Sequence, residues 1–458
     1  MLVSKNSRLM KGSCWRCHYR WWVSPLLFLL MIFWCAVDSM AVRVLDYDEV
    51  TGKALRHAHD IRMSQLDINI SRSALKSAYS LYYPTISARC NTEYVKDLTD
   101  GTAQVNAVGN TVFVQNTLYQ SAFMFVGNYN LFDFGVTQKK VFIADRDIHE
   151  KKNIHKQSVR DIKLKVLNTY SNLLACYEEL ETKKELLKLS KELSLTKERL
   201  FAAGSTISRI DMVDEALKTV KTVDDIDNLT ARLKSLLWDL SFLTGEEYGA
   251  DTVKVNRFRG HEEDFVDTFD LENTPESRIY SLEIQKKKAH LQVLQRGLLP
   301  QLALYSSYVW YGSHPSELDT SAQSVRSRNF SVGLSITVPL FEGFKTPAEI
   351  EKVRLEMERL TVEKERKLAE LSNRYAKLRE AGKAYAQSVA NQHNMLMQVE
   401  EKLDMAHRLA DQKAIEWADF LNQKMELLNQ KLEFAKTMTA KSATIRELRI
   451  LSLSEAGD

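Results

Sequence analysis

Three small groups in this 458-residue chain have residue types and spacings that could do chemistry. Cys14, Cys17 and His18, in CWRCH, have the form of a c-type haem attachment: two thiols to add to vinyl groups and an imidazole for the iron. They precede an export-like apolar run, on a segment expected to be discarded, and coincidence is the reading adopted. Asp211 and Asp214 could pair as carboxylates for acid and base work, but three-residue spacing on a helix describes a solvated face equally well. His149 and His155 stand isolated in charged sequence and read as surface rather than as metal ligands. Zinc spacings, phosphate-cradling loops and serine elbows do not occur. The chain is expected not to be an enzyme and to use no cofactor and no metal.

Two acids with a different task stand in near-identical phrases, LFDFG at 131–135 and VPLFEGF at 338–344. Around them the chain repeats itself. A helical stretch over about 47–82 stops at YYP, with Pro84; a second opens near 274–277 and stops at LLP, with Pro300. Each proline leads into strands, 85–95 with 119–132 and 301–311 with 329–341. On the last of these, Phe330, Val332, Leu334, Ile336, Val338 and Leu340 alternate with Ser331, Gly333, Ser335 and Thr337, the period of a half-buried strand. Strands of about 10 to 13 residues would also cross an outer-membrane hydrocarbon layer when tilted. Glu93 and Asn128 or Asn130 must then face a wet interior or a rim. The polar loops, about 96–118 and 312–328, suit an exterior surface.

Beyond Phe132 and Phe341 the period becomes helical, as in Val166, Tyr170, Leu173, Tyr177 and Leu180, or Leu421, Met425, Leu428 and Leu432. A helix from about 136 to 202 would be ~100 Å long, more than a globular core needs. At the two junctions Gly135 and Gly343 permit the backbone to turn. Asp133 and Glu342 can accept hydrogen bonds from free amides at the new helix starts. Phe132 and Phe341 can mark the boundary of hydrocarbon and water, and Pro347 fits a first helical turn.

Only 7 Pro and 16 Gly punctuate a chain long enough for two or three ordinary domains, which favours long helices. Residues 1–40 differ in kind. Lys5, Arg8, Lys11, Arg16 and Arg20 precede VSPLLFLLMIFWCAV, and small residues follow near Ser39 and Ala41, the order of a secretory signal peptide. A retained anchor is the alternative, from a run somewhat short for a spanning helix; Trp34 makes Cys35 a poor lipid-attachment site. The formal charge is +3, and without residues 1–40 it is −1, so no basic patch indicates nucleic acid. Cys90 and Cys176 remain, too few for a disulfide scaffold. Four strands can neither close a barrel nor leave their edges unpaired in lipid, so a membrane reading requires several chains, and three would supply twelve strands. The rival is a periplasmic coiled-coil adaptor or structural protein, which would feed one helical hairpin into compact β domains.

The blocks LYYPTISA with YNLFDFG, and LLPQLALYSSY with SVGLSITVPLFEGF, each followed by long helices, resemble the TolC family of outer-membrane efflux and secretion channels over about 47–452. The resemblance implies a mixed α/β membrane protein of two β-β-α-α units, 41–250 and 274–452, with a polar linker at 251–273 and a tail at 453–458. It implies a homotrimer whose twelve-stranded β-barrel in outer-membrane lipid continues as a long α-helical barrel across the periplasm. It implies a passive exit duct of an efflux pump or type I secretion system, working with a periplasmic adaptor and an energy-supplying inner-membrane transporter. FAAGSTISRIDMVDEA, 201–216, resembles the family's hairpin tip, with Gly204, Ser205, Arg209 and Asp211 as the expected adaptor contacts. Gly204 lies one residue farther from Asp211 than in the commonest family spacing. In the second copy, DQKAIEWADFLNQKM, Gln412 falls where the glycine would stand. The family's two acidic rings at the periplasmic entrance carry over to Asp419, which keeps the acid, and to Asn422, which replaces it with an amide.

Overall fold

The structure, a computed structural model, describes residues 43–96, 103–105, 111–113, 119–204, 208–250, 252–259, 269–325 and 327–452. The expected signal peptide at 1–40, CWRCH within it, Ser205 and the tail at 453–458 lie outside the described residues. β1 (Arg43–Leu45) leads into α1 (Tyr47–His57) and α2 (His59–Tyr79), two helices where one was expected over about 47–82. Ala58 between them has ψ 119°, which breaks the ladder, and Ser80–Tyr82 tighten into a 3-10 turn ahead of Pro84.

β2 (Thr85–Tyr94) and β5 (Tyr119–Phe132) run antiparallel, from Thr85 opposite Asn128 to Tyr94 opposite Tyr119. A small hairpin, β3 (Ala103–Val105) with β4 (Thr111–Phe113), stands between them in sequence. Then come α3 (Val136–Ala202, 67 residues) and α4 (Arg209–Thr244, 36 residues). Inside the stretch read as a polar linker, β6 (Val253–Val255) pairs parallel with β1.

The second half carries α5 (Pro275–Gly297), β7 (Gln301–His314), the short α6 (Leu318–Gln323) and β8 (Ser327–Thr337). Thr274 caps α5 by accepting from the Ser277 amide at 3.3 Å, with Pro275 at the first helical position. α7 (Lys345–Asp411) and α8 (Trp417–Ser452) have 67 and 36 residues, the lengths of α3 and α4. β8 is shorter than the 329–341 expected: Val338 to Phe341 leave the ladder, where Pro339 has no N–H to offer.

The main sheet has the order β2-β5-β7-β8, antiparallel throughout, with a register shift between Asn130 and Phe132. Away from it the helices form a single layer. Near the sheet the order is α2-α3-α5-α7; at the far end α4 and α8 flank α3, and α7 packs on α8. The larger core lies midway along α3, where Val166, Tyr170, Leu173 and Leu240 are fully buried against Leu45, Val50 and the β1-β6 pair. Tyr170 donates toward the carbonyls of Leu45 (3.0 Å) and Asn256 (2.7 Å), and burial pushes its hydroxyl pKa up. The heptad stripe read in α3 thus partly serves a small clasp of strands as well as neighbouring helices.

Candidate functional site: a two-faced sheet, its junctions and the hairpin ends

Residues directly opposite in an antiparallel sheet point to the same side. Phe330, Val332, Leu334 and Ile336 on β8 face Tyr308, Ser306, Leu304 and Leu302 on β7. These in turn face Phe125, Gly127, Tyr129 and Phe132 on β5, and Phe125 and Gly127 face Ala88 and Ile86 on β2. One face is therefore almost wholly apolar, and it is open: Phe330 is 65% and Ile336 70% exposed. Phe123 and Phe125 pack around Trp310 with ring centroids at 5.6 and 5.9 Å, and Tyr308 stands edge-on to Trp310 at 4.3 Å. The opposite face carries Arg89, Asn91, Glu93, Asn128, Asn130, Ser331 and Ser335, while Arg328, Ser121 and Thr92 lie on the apolar side toward the loop end of the strands. On that side the Tyr305 ring covers Gly333; a Cβ there would lie 2.5 Å from the Tyr305 hydroxyl. The outer edges of β2 and β8 have no partner strand among the described residues.

Both junctions pass from strand to helix through two consecutive left-handed residues after the acid, Phe134 (φ 52°) with Gly135 (φ 80°) and Gly343 (φ 63°) with Phe344 (φ 62°). The glycine was expected to allow this. In each case a phenylalanine also adopts the conformation L-residues avoid, so surrounding contacts must hold it. At the first junction Asp133 supplies them. Its carboxylate accepts from the Thr137 amide (2.8 Å) and hydroxyl (2.6 Å), the Gly135 amide (3.0 Å) and the Asn130 side chain (3.1 Å). Burial alone would raise the Asp133 pKa; the bonds from Thr137, Gly135 and Asn130 overcome it and hold the carboxyl below the usual carboxylate range. Arg296 donates to the Phe134 carbonyl at 3.1 Å and ties α5 to the same turn.

At the second junction Glu342 accepts from the Thr346 hydroxyl, but its side chain takes no backbone amide at the helix start. Phe132 meets Phe134, and Phe341 meets Phe344, edge-on with centroids 4.7 and 5.5 Å apart. A threonine four residues after each acid was the legible signal for this bracing, and sequence reasoning passed over it.

At the first hairpin end Gly204 is left-handed (φ 80°) with open space around it. Ser208 caps α4 reciprocally: its hydroxyl accepts from the Asp211 amide (3.2 Å), and its own amide donates to the Asp211 carboxylate (2.9 Å). These bonds, backbone first, lower the Asp211 pKa. Arg209 and Asp214 are exposed. At the second end the left-handed residue is Lys413 (φ 59°), one position beyond Gln412, which is right-handed. The Ala414 amide reaches the Leu409 carbonyl (2.8 Å) and the Lys413 amide that of Ala410 (3.0 Å), a helix-terminating pair usually built around glycine. Asp419 is the third residue of α8, as Asp211 is of α4. Asp419 and Asn422 are both exposed, one turn apart. Beside them Phe420 and Leu421 are buried with Leu189 and Leu193 of α3, and the Trp417 indole donates to Glu192 at 3.2 Å. The second hairpin is thus fastened to α3.

His149 and His155 do not converge: His149 is 4.0 Å from Asp145, and His155 shares a hydrogen bond with Ser64 at 2.8 Å. Among the described residues no group of three or more His, Cys, Asp or Glu is placed to hold a metal ion, and no helix is both long and apolar enough to cross a membrane.

No protein-family model matches the sequence, and no curated protein matches it. The fold does match solved outer-membrane channels. The Campylobacter jejuni CmeC outer membrane channel aligns with TM-score 0.74 at 15% identity, over 89% of this chain and 85% of that one. CusC aligns with TM-score 0.71 at 16% identity over 89% and 92%. The outer membrane protein VceC from Vibrio cholerae gives 0.70 at 14% identity over 88% and 95%. At such identities the likeness is one of fold.

Proposed function

We propose that this chain is one of three copies forming an outer-membrane channel. Four strands from each copy close a twelve-stranded barrel, and the long helices continue it as a tunnel into the periplasm. The observation that carries the reading is a four-stranded sheet with one open, largely apolar face, one polar face and two edges that have no partner strand among the described residues. In water such a sheet exposes apolar area and ladder groups together; in lipid the apolar face is solvated, but the edges must then pair with another chain. The polar face lines the lumen.

The outer helices support the same assembly. On the sheet-side half of the layer, α2 exposes Ile70 and Met63, nine and sixteen residues from its end, and α7 exposes Leu355 and Val362, ten and seventeen from its start. These pairs sit at nearly equal depths, ~14 and ~25 Å. Toward the tips, Ile210, Val213, Leu217 and Val220 of α4 occupy the same band as Leu409, Met405 and Met397 of α7. Opposite flanks that match in height suit head-to-tail packing that closes into a ring.

The hairpin ends around Gly204, Ser205, Arg209 and Asp211 then meet a periplasmic adaptor, and an inner-membrane transporter supplies the energy for efflux or type I secretion. Residues 1–40 act as the export signal. Mass measurement in mild detergent, joined to single-channel recording, tests the reading: three copies and a conducting pore are expected. A stable monomer with all four strands protected from exchange overturns it, and so does release of the mature protein by osmotic shock.

A further inference from the structure

A cleft of about 490 Å³ opens between α3, α5 and α7, away from the junctions and the hairpin ends and at the level of α7 where Leu355 and Val362 are exposed. That volume suits a small organic molecule. Its walls combine the Tyr280 ring and the apolar Ile279 and Leu360 with several charged side chains.

Almost all of those charges are already matched. Glu276, 4% exposed, is held by both terminal nitrogens of Arg160 from α3. Lys286 is spent on Asp147 at 2.9 Å and on Glu150, both from α3. Lys287 pairs with Glu356 of α7 at 2.7 Å, Arg359 with Glu363 at 3.4 Å, and Lys367 with Glu370 at 3.3 Å.

Glu283 is the exception. It lines the cleft half-buried, with no hydrogen bond and no ion pair among the described residues. Burial raises its pKa, the carboxylates of Glu150 and Glu363 add to the effect, and the fields of Lys286 and Lys287 offset it in part. A partly desolvated carboxylate beside like charges is a standing cost that one bound cation would relieve.

We infer that the cleft between α3, α5 and α7 is a binding site for a small amphipathic organic cation, its ammonium group against Glu283 and its apolar part against Tyr280, Ile279 and Leu360. A single positive charge is what the site calls for, because every other acid lining the cleft has an ion-pair partner: Glu276 with Arg160, Glu356 with Lys287 and Glu363 with Arg359. It takes an apolar body, because an inorganic cation would leave that wall uncovered. The aromatic face of Tyr280 can add a cation–π contact. The inference does not depend on whether the chain conducts.

The test uses the full chain in mild detergent, with benzylamine as probe and benzyl alcohol as its uncharged counterpart. Saturation-transfer NMR should detect saturable benzylamine binding near neutral pH and about tenfold weaker binding of the alcohol. Glu283→Gln should remove the preference for the amine without lowering the melting temperature, since it deletes an unpartnered acid. Ile279→Trp, which fills the cleft and leaves Glu283 in place, should remove binding of both probes. Equal affinity for amine and alcohol, an unchanged preference in Glu283→Gln, or undiminished binding in Ile279→Trp each overturns the site. None of these results bears on subunit number or conductance.

Discussion

Removing the carboxylate charge at the first junction, with Asp133→Asn, should loosen the start of α3 before it affects anything else. Asp133 is 8% exposed and accepts four hydrogen bonds, two from Thr137 and one each from Gly135 and Asn130. A bond to a charged group is worth about 1.5–3 kcal/mol net, and loss of a helix-capping side chain costs about 0.5–2 kcal/mol. Asparagine keeps one acceptor oxygen, so the substitution should cost roughly 2 kcal/mol, well below the sum over four bonds. Thr137→Val, which removes the hydroxyl alone, should cost about 1 kcal/mol.

Hydrogen exchange at the Thr137 amide reads this directly, because that N–H is bonded to Asp133. A loss of roughly 2 kcal/mol corresponds to about thirtyfold faster exchange through local opening. The two changes share a bond, so Thr137→Val should cost less when Asp133 is already Asn, by roughly 0.5 kcal/mol or more. The pH dependence has a definite sign. Because the folded-state pKa is depressed, the stabilisation is complete above the ordinary aspartate value and is lost as pH falls through the lower folded value. Unchanged protection at Thr137 in Asp133→Asn, or strict additivity with Thr137→Val, would refute the bracing role.

Gly343→Pro should abolish trimer assembly in the outer membrane, since proline fixes φ near −65° where the chain needs 63°; Asp319→Asn, on the exposed first turn of the short α6, should leave the yield unchanged, and equal yields would mean that the junction is assigned wrongly. Lys413→Gly should stabilise the second hairpin end by on the order of 1 kcal/mol, by relieving a left-handed lysine; slower exchange at the Lys413 and Ala414 amides measures it, and faster exchange counts against it. Asp419→Asn should remove cation preference from the conducting pore at constant trimer yield, because three copies would otherwise ring the entrance with the charge that Asn422 lacks. Identical selectivity before and after the change would take Asp419 out of the entrance.

Much of this architecture is local, and so it was legible in the residues. Alternation from Phe330 to Ile336 defines the apolar side of β8 because side chains on a strand alternate whatever they pack against. The unpunctuated stretch from Val136 to Ala202 is one helix because no proline interrupts its ladder. The acid and glycine at each junction follow from the geometry of a sharp turn into a helix. What depends on residues distant in sequence could not be read that way. Ala58 splits the first helix, although it carries neither glycine nor proline, while β1 finds its partner 210 positions later in β6. Lys413, not Gln412, takes the left-handed turn that ends α7, although neither residue type favours it over the other. Glu283 looks like any surface glutamate in IYSLEIQKKK. Only the packing of α3 and α7 against α5, which uses up the nearby charges in pairs and withdraws this one from water, decides that it stands unpaired in a cleft.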